Sequence, residues 1–281
     1  MDILQIKKYL NTFRFSKLDP TIKERLTELK KIAVLSGDQE VAKEIWCLEQ
    51  VYQIIQHYLK AFNLLKKKEY LKAWMQLDRA DIEFSFLRKH FDYSGNKYNL
   101  EFLEKNIYQF QRLFPYQYFL SRESVTKKER CSICNQTVSI RKSCGHKVGE
   151  IYNGEQCSRI VEEIELLGFA IVKNPFDKYT VLMPQDIEYN YFMLENLLQS
   201  INHPYTKWNL EVQKEDDVRY KKLGRNANCI CDSGIKFKKC CLNNEDRKIK
   251  VDHHKITVLD KVSKDIKPIP RTTFRTTKTK E

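Results

Sequence analysis

Nine cysteines stand in this chain of 281 residues, and eight of them fall into two tight groups. The first group reads Cys131-x2-Cys134-x9-Cys144-Gly-His146-x10-Cys157, five soft or borderline donors where a structural zinc ion takes four in a tetrahedron. The second reads Cys229-x-Cys231-x8-Cys240-Cys241, four thiols within thirteen positions. Clustering at such spacing points to metal ligation rather than to a disulfide framework, because thiols kept reduced bind metal as thiolates. Cys47 belongs to neither group. Two zinc ions are therefore expected.

In the first group Cys131 and Cys134 form a knuckle in which one short turn presents two thiolates to one ion. Val138 to Arg141 is expected to begin a strand leading back toward the metal, and Ser158 to Leu167 to form a helix, with Ile160, Ile164 and Leu167 on one face and Gly168 as its stop. Cys157 then sits at a helix start, where unpaired N–H groups favour a thiolate. Knuckle, hairpin and helix-borne ligand resemble a treble-clef finger. The third and fourth positions fall to Cys144, His146 and Cys157; the expected ligands are Cys131, Cys134, Cys144 and Cys157, with His146, close behind Cys144, as the alternative.

Residues Gly224-Arg225-Asn226-Ala227-Asn228-Cys229 through Cys240-Cys241 resemble the SEC-C motif, named for the C-terminal tail of the secretion ATPase. The opening Gly-Arg-Asn, the Cys-x-Cys-x8-Cys-Cys core, the Ser233-Gly234 turn and Phe237 with its lysines all match. Ala227 and Asn228 stand where the family often has Asp-Pro, Ile230 replaces Pro, Asp232 replaces Gly and Ile235 replaces Lys; none of these removes a ligand. The resemblance implies a zinc finger over 224–242 held by Cys229, Cys231, Cys240 and Cys241, and a knob that docks on protein partners near anionic lipid or the ribosome. So short a unit cannot fold by burial; a structural zinc ion, worth roughly 10–16 kcal/mol in finger peptides, would supply most of its folding energy.

The elements around these groups follow from periodicity. From Met1 to about Ser121 apolar residues recur at helical spacing, broken at Leu18-Asp19-Pro20, Ser36-Gly37-Asp38 and Tyr93-Ser94-Gly95-Asn96, which gives four or five antiparallel helices. Asp19 is placed to cap a helix beginning at Pro20. Lys68 to Ala80, with small Ala73 and Ala80, resembles the second helix of a tetratricopeptide repeat. The aromatic series Tyr58, Phe62, Phe84, Phe86, Phe91, Tyr98, Phe102, Tyr108 and Phe110 is expected in the core. Arg122 to Arg130 reads as a polar link, Phe169 to Val172 and Tyr179 to Met183 as a hairpin around Asn174-Pro175-Phe176-Asp177, and residues near Asp186 to Ser200 as a helix. The last part of Asn243 to Glu281 is expected to lack order, having too little apolar surface. The fold class expected is mainly α with a small α+β part: a helical bundle over 1–122, an α+β domain with the first zinc site over 123–215, the SEC-C finger over 216–245 and a basic tail over 246–281.

Composition bounds the function. A net charge of +13 attracts polyanions, and Arg219, Lys221, Lys222, Arg225, Lys236, Lys238 and Lys239 crowd around the second group. No apolar run reaches the length of a signal peptide or membrane span, so the expected compartment is the cytoplasm. No phosphate-binding loop, nucleophile elbow or His-Glu-x-x-His pattern is present. Asp78, Asp81 and Glu83 are read as solvated charge, and His57, His90, His203 and the His253-His254 pair as isolated histidines. The expectation is a non-catalytic zinc-binding adaptor whose helical half or finger meets a protein and whose basic zinc modules meet nucleic acid, the ribosome or another polyanion. The competing expectation is a metal-dependent nuclease or toxin of HNH-like type centred on His146.

Overall fold

Two antiparallel hairpins, each carrying one cysteine group in its loop, set the plan of the molecule. The computed structural model describes residues 1–183, 185, 188–259, 265–270 and 274–275. It divides into two compact units: residues 1–185 with 203–205, and residues 186–202 with 206–281.

The first unit begins with five helices, α1 (Ile3–Thr12), α2 (Thr21–Leu35), α3 (Gln39–Lys66), α4 (Tyr70–Leu87) and α5 (Leu100–Leu113). Local chemistry sets their ends. Asp2 accepts from the Gln5 N–H at 2.8 Å while Gln5 accepts from the Asp2 N–H at 3.0 Å, a reciprocal cap on α1. Asp19 takes both the N–H and the hydroxyl of Thr21, so it serves the start of α2 from one residue further out than a helix beginning at Pro20 would need. Asp38 caps α3 through the Val41 N–H at 3.0 Å. Helix α3 buries residues from Ala42 to Leu65, and α4 packs beside it through Ala73, Leu77 and Ala80, all fully buried. Tyr58, Phe62, Phe84 and Phe110 are core, as expected, whereas Phe86 and Tyr108 point to solvent.

After α5 the chain enters β1 (Phe119–Cys131), which pairs with the short β2 (Thr137–Val138) and along its length with β5 (Arg159–Val172). Between them lies a small hairpin of β3 (Ile151–Tyr152) and β4 (Glu155–Gln156). Three expectations are corrected by these strands. Arg122 to Arg130 is strand rather than link: its charges are matched across the ladder, Lys127 to Glu165 at 2.5 Å, Lys128 to Glu162 at 2.9 Å and Glu129 to Arg159 at 3.7 Å. Ser158 to Leu167 is not a helix, because β5 runs through it, so the Cys157 ligand is not helix-borne. Phe169 to Val172 does not pair with Tyr179 to Met183; β1 lies between them, with Phe119 opposite Val172 on one side and bridged to Val181 on the other. Phe119 anchors this end of the ribbon, packing near Trp74, whose indole N–H donates to the Lys178 carbonyl at 2.6 Å.

The second unit contains β6 (Glu188–Tyr189), α6 (Phe192–Ser200), β7 (Trp208–Asp216), β8 (Lys250–Val258), β9 (Asp265–Pro270) and β10 (Phe274–Arg275). Strands β7, β8 and β9 form an antiparallel sheet in that order, and β6 pairs with β10. Helix α6 starts at Phe192; of the expected stretch, residues 186 and 187 lie outside the described ones. The segment after the second cysteine group is β8, where buried His254, Ile256 and Val258 alternate with less buried neighbours. The expected lack of order over residues 260–264, 271–273 and 276–281 falls outside the described residues. Among those described, no helix is long and apolar enough to cross a membrane.

Candidate metal centres

The first centre closes the tip of the β1–β5 hairpin. Cys131 ends β1 and is fully buried. The knuckle turns through Asn135, whose left-handed backbone (φ 58°) lets its N–H reach the Cys131 carbonyl at 2.9 Å while the Cys131 N–H donates to the Gln136 carbonyl at 3.0 Å. Backbone N–H groups at Cys134 and Ile133 aim at the Cys131 sulfur and, against burial, bring its thiol down to about 6, into the range where it is a thiolate at neutral pH.

The second arm comes from the loop of Cys144-Gly145-His146. Gly145 has φ 88°, a conformation an L side chain resists, and it lets donors two residues apart face one point. The donor atoms of Cys131, Cys134, Cys144 and His146 all lie within 4.8 Å of one another. His146 packs edge-on against Tyr152 at 4.7 Å, and its buried Nδ1 has no hydrogen-bond partner among the described residues. A buried imidazole nitrogen without a partner is costly, and a metal ion among the three thiols would satisfy it.

Cys157, just before β5, holds its place through its own N–H to the Glu150 carbonyl and its carbonyl to the Gly149 N–H, both 2.8 Å. Its sulfur is 3.8 Å from that of Cys131 but stands outside the compact four-donor group, and burial raises its pKa. Of the five expected donors, the compact group thus gathers Cys131, Cys134, Cys144 and His146, with Cys157 beside it.

This tip is fastened to the helices of its own unit. Lys30 Nζ sits between Glu49 and Glu155, 2.7 Å from each. Burial alone would lower the Lys30 pKa, but the two carboxylates outweigh it and raise it. Gln39 and Asn153 exchange two hydrogen bonds, at 2.8 and 2.9 Å. The His90 Nε2–H donates to the Gly149 carbonyl at 2.7 Å. A Cβ on Gly154 (φ 68°) would come within 2.8 Å of the Lys30 side chain, so glycine is required for this approach.

The second centre occupies the loop between β7 and β8. Its neck is closed by the Asp217 N–H to the Ile249 carbonyl at 3.0 Å and by Asp216 held between Lys248 (2.7 Å) and Lys250 (2.5 Å). Inside, Tyr220 stacks on Phe237 at 5.7 Å and its hydroxyl accepts from the Ile249 N–H at 3.0 Å. The Cys229 N–H donates to the Ile235 carbonyl at 2.9 Å across a turn that uses left-handed Asp232 and Gly234. A short 3-10 turn, Phe237–Lys239, then presents Cys240 and Cys241.

All four sulfurs lie within 4.8 Å of one another, with Cys231 to Cys240 at 3.4 Å and Cys240 to Cys241 at 3.7 Å. Zn–S bonds of about 2.3 Å in a tetrahedron put the sulfurs about 3.8 Å apart, so the spacing fits that ion. Ser233 Oγ is 3.2 Å from both Cys231 and Cys240, and its hydrogen bond leads the effects that take the Cys231 thiol down to about 6. Burial pushes Cys241 up to about 12, a cost that a bound cation would remove.

Of the basic residues expected around this knob, all seven are exposed. Arg219 is paired with Asp217 at 2.7 Å; Lys221, Lys222, Arg225, Lys236, Lys238 and Lys239 have no ion pair among the described residues. Reading the sequence missed Ser233, Tyr220 and the Lys30 clamp, and misplaced Asp78, which is buried with its carboxyl raised to about 6 by that burial.

The SEC-C motif family matches residues 225–243. That stretch carries all four donors of the second centre and is a small fraction of the chain. Comparison with curated proteins and with solved structures finds no match.

Proposed function

We propose that the chain is a zinc-held, non-catalytic binding protein in which two closed structural centres shape two hairpin tips, and in which the second tip presents a basic surface to a polyanion, nucleic acid first. The carrying observation is that each tip gathers four donors of zinc-like chemistry, which leaves no coordination position for a reacting water. In this reading Cys131, Cys134, Cys144 and His146 hold one ion, Cys229, Cys231, Cys240 and Cys241 the other, and Cys157 lies beside the first as a spare thiol.

Six cations of the second tip lack an ion pair among the described residues, so their field acts on whatever approaches. The helical half, with its tetratricopeptide-like hairpin of α3 and α4, is assigned to a protein partner, and the cytoplasm to the whole. The nuclease reading needs His146 as a base; its buried Nδ1 among the thiols supports a ligand instead.

The test is electrophoretic mobility shift with single-stranded and duplex nucleic acid over a salt series. Binding should weaken steeply with salt, and replacing Lys236, Lys238 and Lys239 with alanine should lower the slope of log K against log salt by about 1 for each phosphate the variant no longer neutralises. Binding that ignores salt, or none at low ionic strength, would defeat the proposal.

A further inference from the structure

The β1–β5 ribbon leaves one full strand edge unused. Along β5 the inner edge pairs with β1, and among the described residues nothing pairs with the outer one. An unpaired edge of this length is a template for another strand, and natural proteins usually blunt such edges with lysine, proline or a covering element. Here the second half of the edge, from Leu166 to Val172, is apolar instead. The register places Leu120 with Ile171, Arg122 with Phe169, Ser124 with Leu166 and Thr126 with Ile164, so Ile164, Leu166, Phe169 and Ile171 share one face. All four are exposed, Phe169 by 68% and Ile171 by 63%. A two-stranded ribbon with both faces in water is of marginal stability, and a third strand would cover this row.

We infer that the third strand is β5 of a second copy of this chain, added antiparallel about a two-fold axis between Leu167 and Gly168. Two features of the strand favour itself as partner. Leu167 is a bulge, since Glu123 pairs with Gly168 and the next residue, Ser124, pairs with Leu166. In a regular strand, a two-fold axis between neighbouring residues would set side chains of opposite faces against each other. The bulge moves the phase by one residue, so Leu166 faces Phe169 of the second copy and Ile164 faces Ile171, all on the same apolar side.

Charge agrees with this register. Glu162, Glu163 and Glu165 all lie in the first half of β5, and the second half carries no acid and leads into Lys173. Antiparallel pairing about the Leu167/Gly168 axis sets Glu163 opposite Val172, Glu165 opposite Ala170 and Glu162 opposite Lys173, so no like charges meet. An axis moved toward Glu165 would bring the glutamates of the two copies together. The contact is isologous, so each copy uses its β5 edge on that of the other and this edge closes at two copies. It depends on neither metal centre.

Sedimentation equilibrium of the full-length protein tests this, at concentrations up to about 100 μM, well above the micromolar range in which interfaces of ordinary size hold. The unmodified chain should sediment at twice its 33.6 kDa mass. Leu166→Lys and Phe169→Glu should each sediment as the monomer, because a charge would face an apolar side chain across the axis. The double variant should regain the dimer, because the lysine introduced at position 166 of each copy then faces the glutamate introduced at position 169 of the other. Both positions are exposed in the single chain, and unchanged circular dichroism and zinc content show that each variant folds. A wild-type monomer throughout, a dimer indifferent to the single changes, or a double variant that stays monomeric would each overturn the inference.

Discussion

Replacing Lys30 with methionine isolates the clamp between the first tip and the helices. Lys30 and Glu49 each expose only 15% of their side chains, whereas Glu155 exposes 65%. The two halves of the clamp therefore differ in worth. Losing the exposed contact to Glu155 costs about 0.5 kcal/mol, typical of surface pairs. Losing the contact to Glu49 strands a carboxylate among buried neighbours; full burial would cost roughly 3–5 kcal/mol, and the residual exposure brings this to about 2 kcal/mol. Methionine keeps the stem that packs under Gly154, so the expected total is about 2–3 kcal/mol, read by urea denaturation followed by circular dichroism. The pH dependence has a definite sign. Burial already raises the Glu49 pKa, and removing Lys30 raises it further. A carboxyl with a raised folded pKa favours folding when protonated, so the variant should recover stability as pH falls from about 7 toward 4 and lose it again as pH rises through the folded pKa. Lys30→Met combined with Glu49→Gln should regain most of the loss at neutral pH. A loss under about 0.5 kcal/mol, or no recovery in the double variant, would refute the clamp as an energetic link.

His146→Ala should lose the zinc of the first centre, while Cys157→Ser should keep it, as measured by zinc released to a chromogenic chelator; the reverse result would restore Cys157 as the fourth ligand. Ser233→Ala removes the hydrogen bond that helps hold the Cys231 thiol at about 6, so half-release of zinc from the second centre on acidification should move to higher pH, by up to about one unit; an unchanged release pH would show that Ser233 does not act on the thiolate. Asp78, raised to about 6 by burial with partial relief from Lys178, favours folding in its protonated form. That contribution is present below about pH 4 and lost as pH rises through about 6, with an upper bound of about 3 kcal/mol that screening reduces to roughly 1–2. Asp78→Asn should flatten this part of the stability profile, and an unaltered slope between about pH 4 and 7 would contradict it.

The metal donors were legible because zinc ligands cluster at short, local spacing, and the helices were legible because their caps and apolar stripes are local too. What failed was what depends on a distant partner. Arg122 to Arg130 has no apolar alternation and becomes a strand only because β5 brings Glu162 and Glu165 alongside. In β5 itself Ile160, Ile164 and Leu167 fit a helical face, while the bulge at Leu167 shifts the phase between Ile164-x-Leu166 and Phe169-x-Ile171 and hides the alternation. Which four of the five donors gather most closely could not be read from spacing, since it turns on side-chain orientation, such as the packing of His146 against Tyr152. The Lys30 to Glu155 contact spans 125 positions and leaves no local signal at all.

Two metal ions organising two hairpin tips are what the proposed function depends on, and native mass spectrometry of the purified chain measures this most directly. It should show the chain carrying two zinc ions, falling to one when Cys240 and Cys241 are replaced by serine and to one when His146 is replaced by alanine. A metal-free chain of native fold, or a zinc count unmoved by either change, would contradict it.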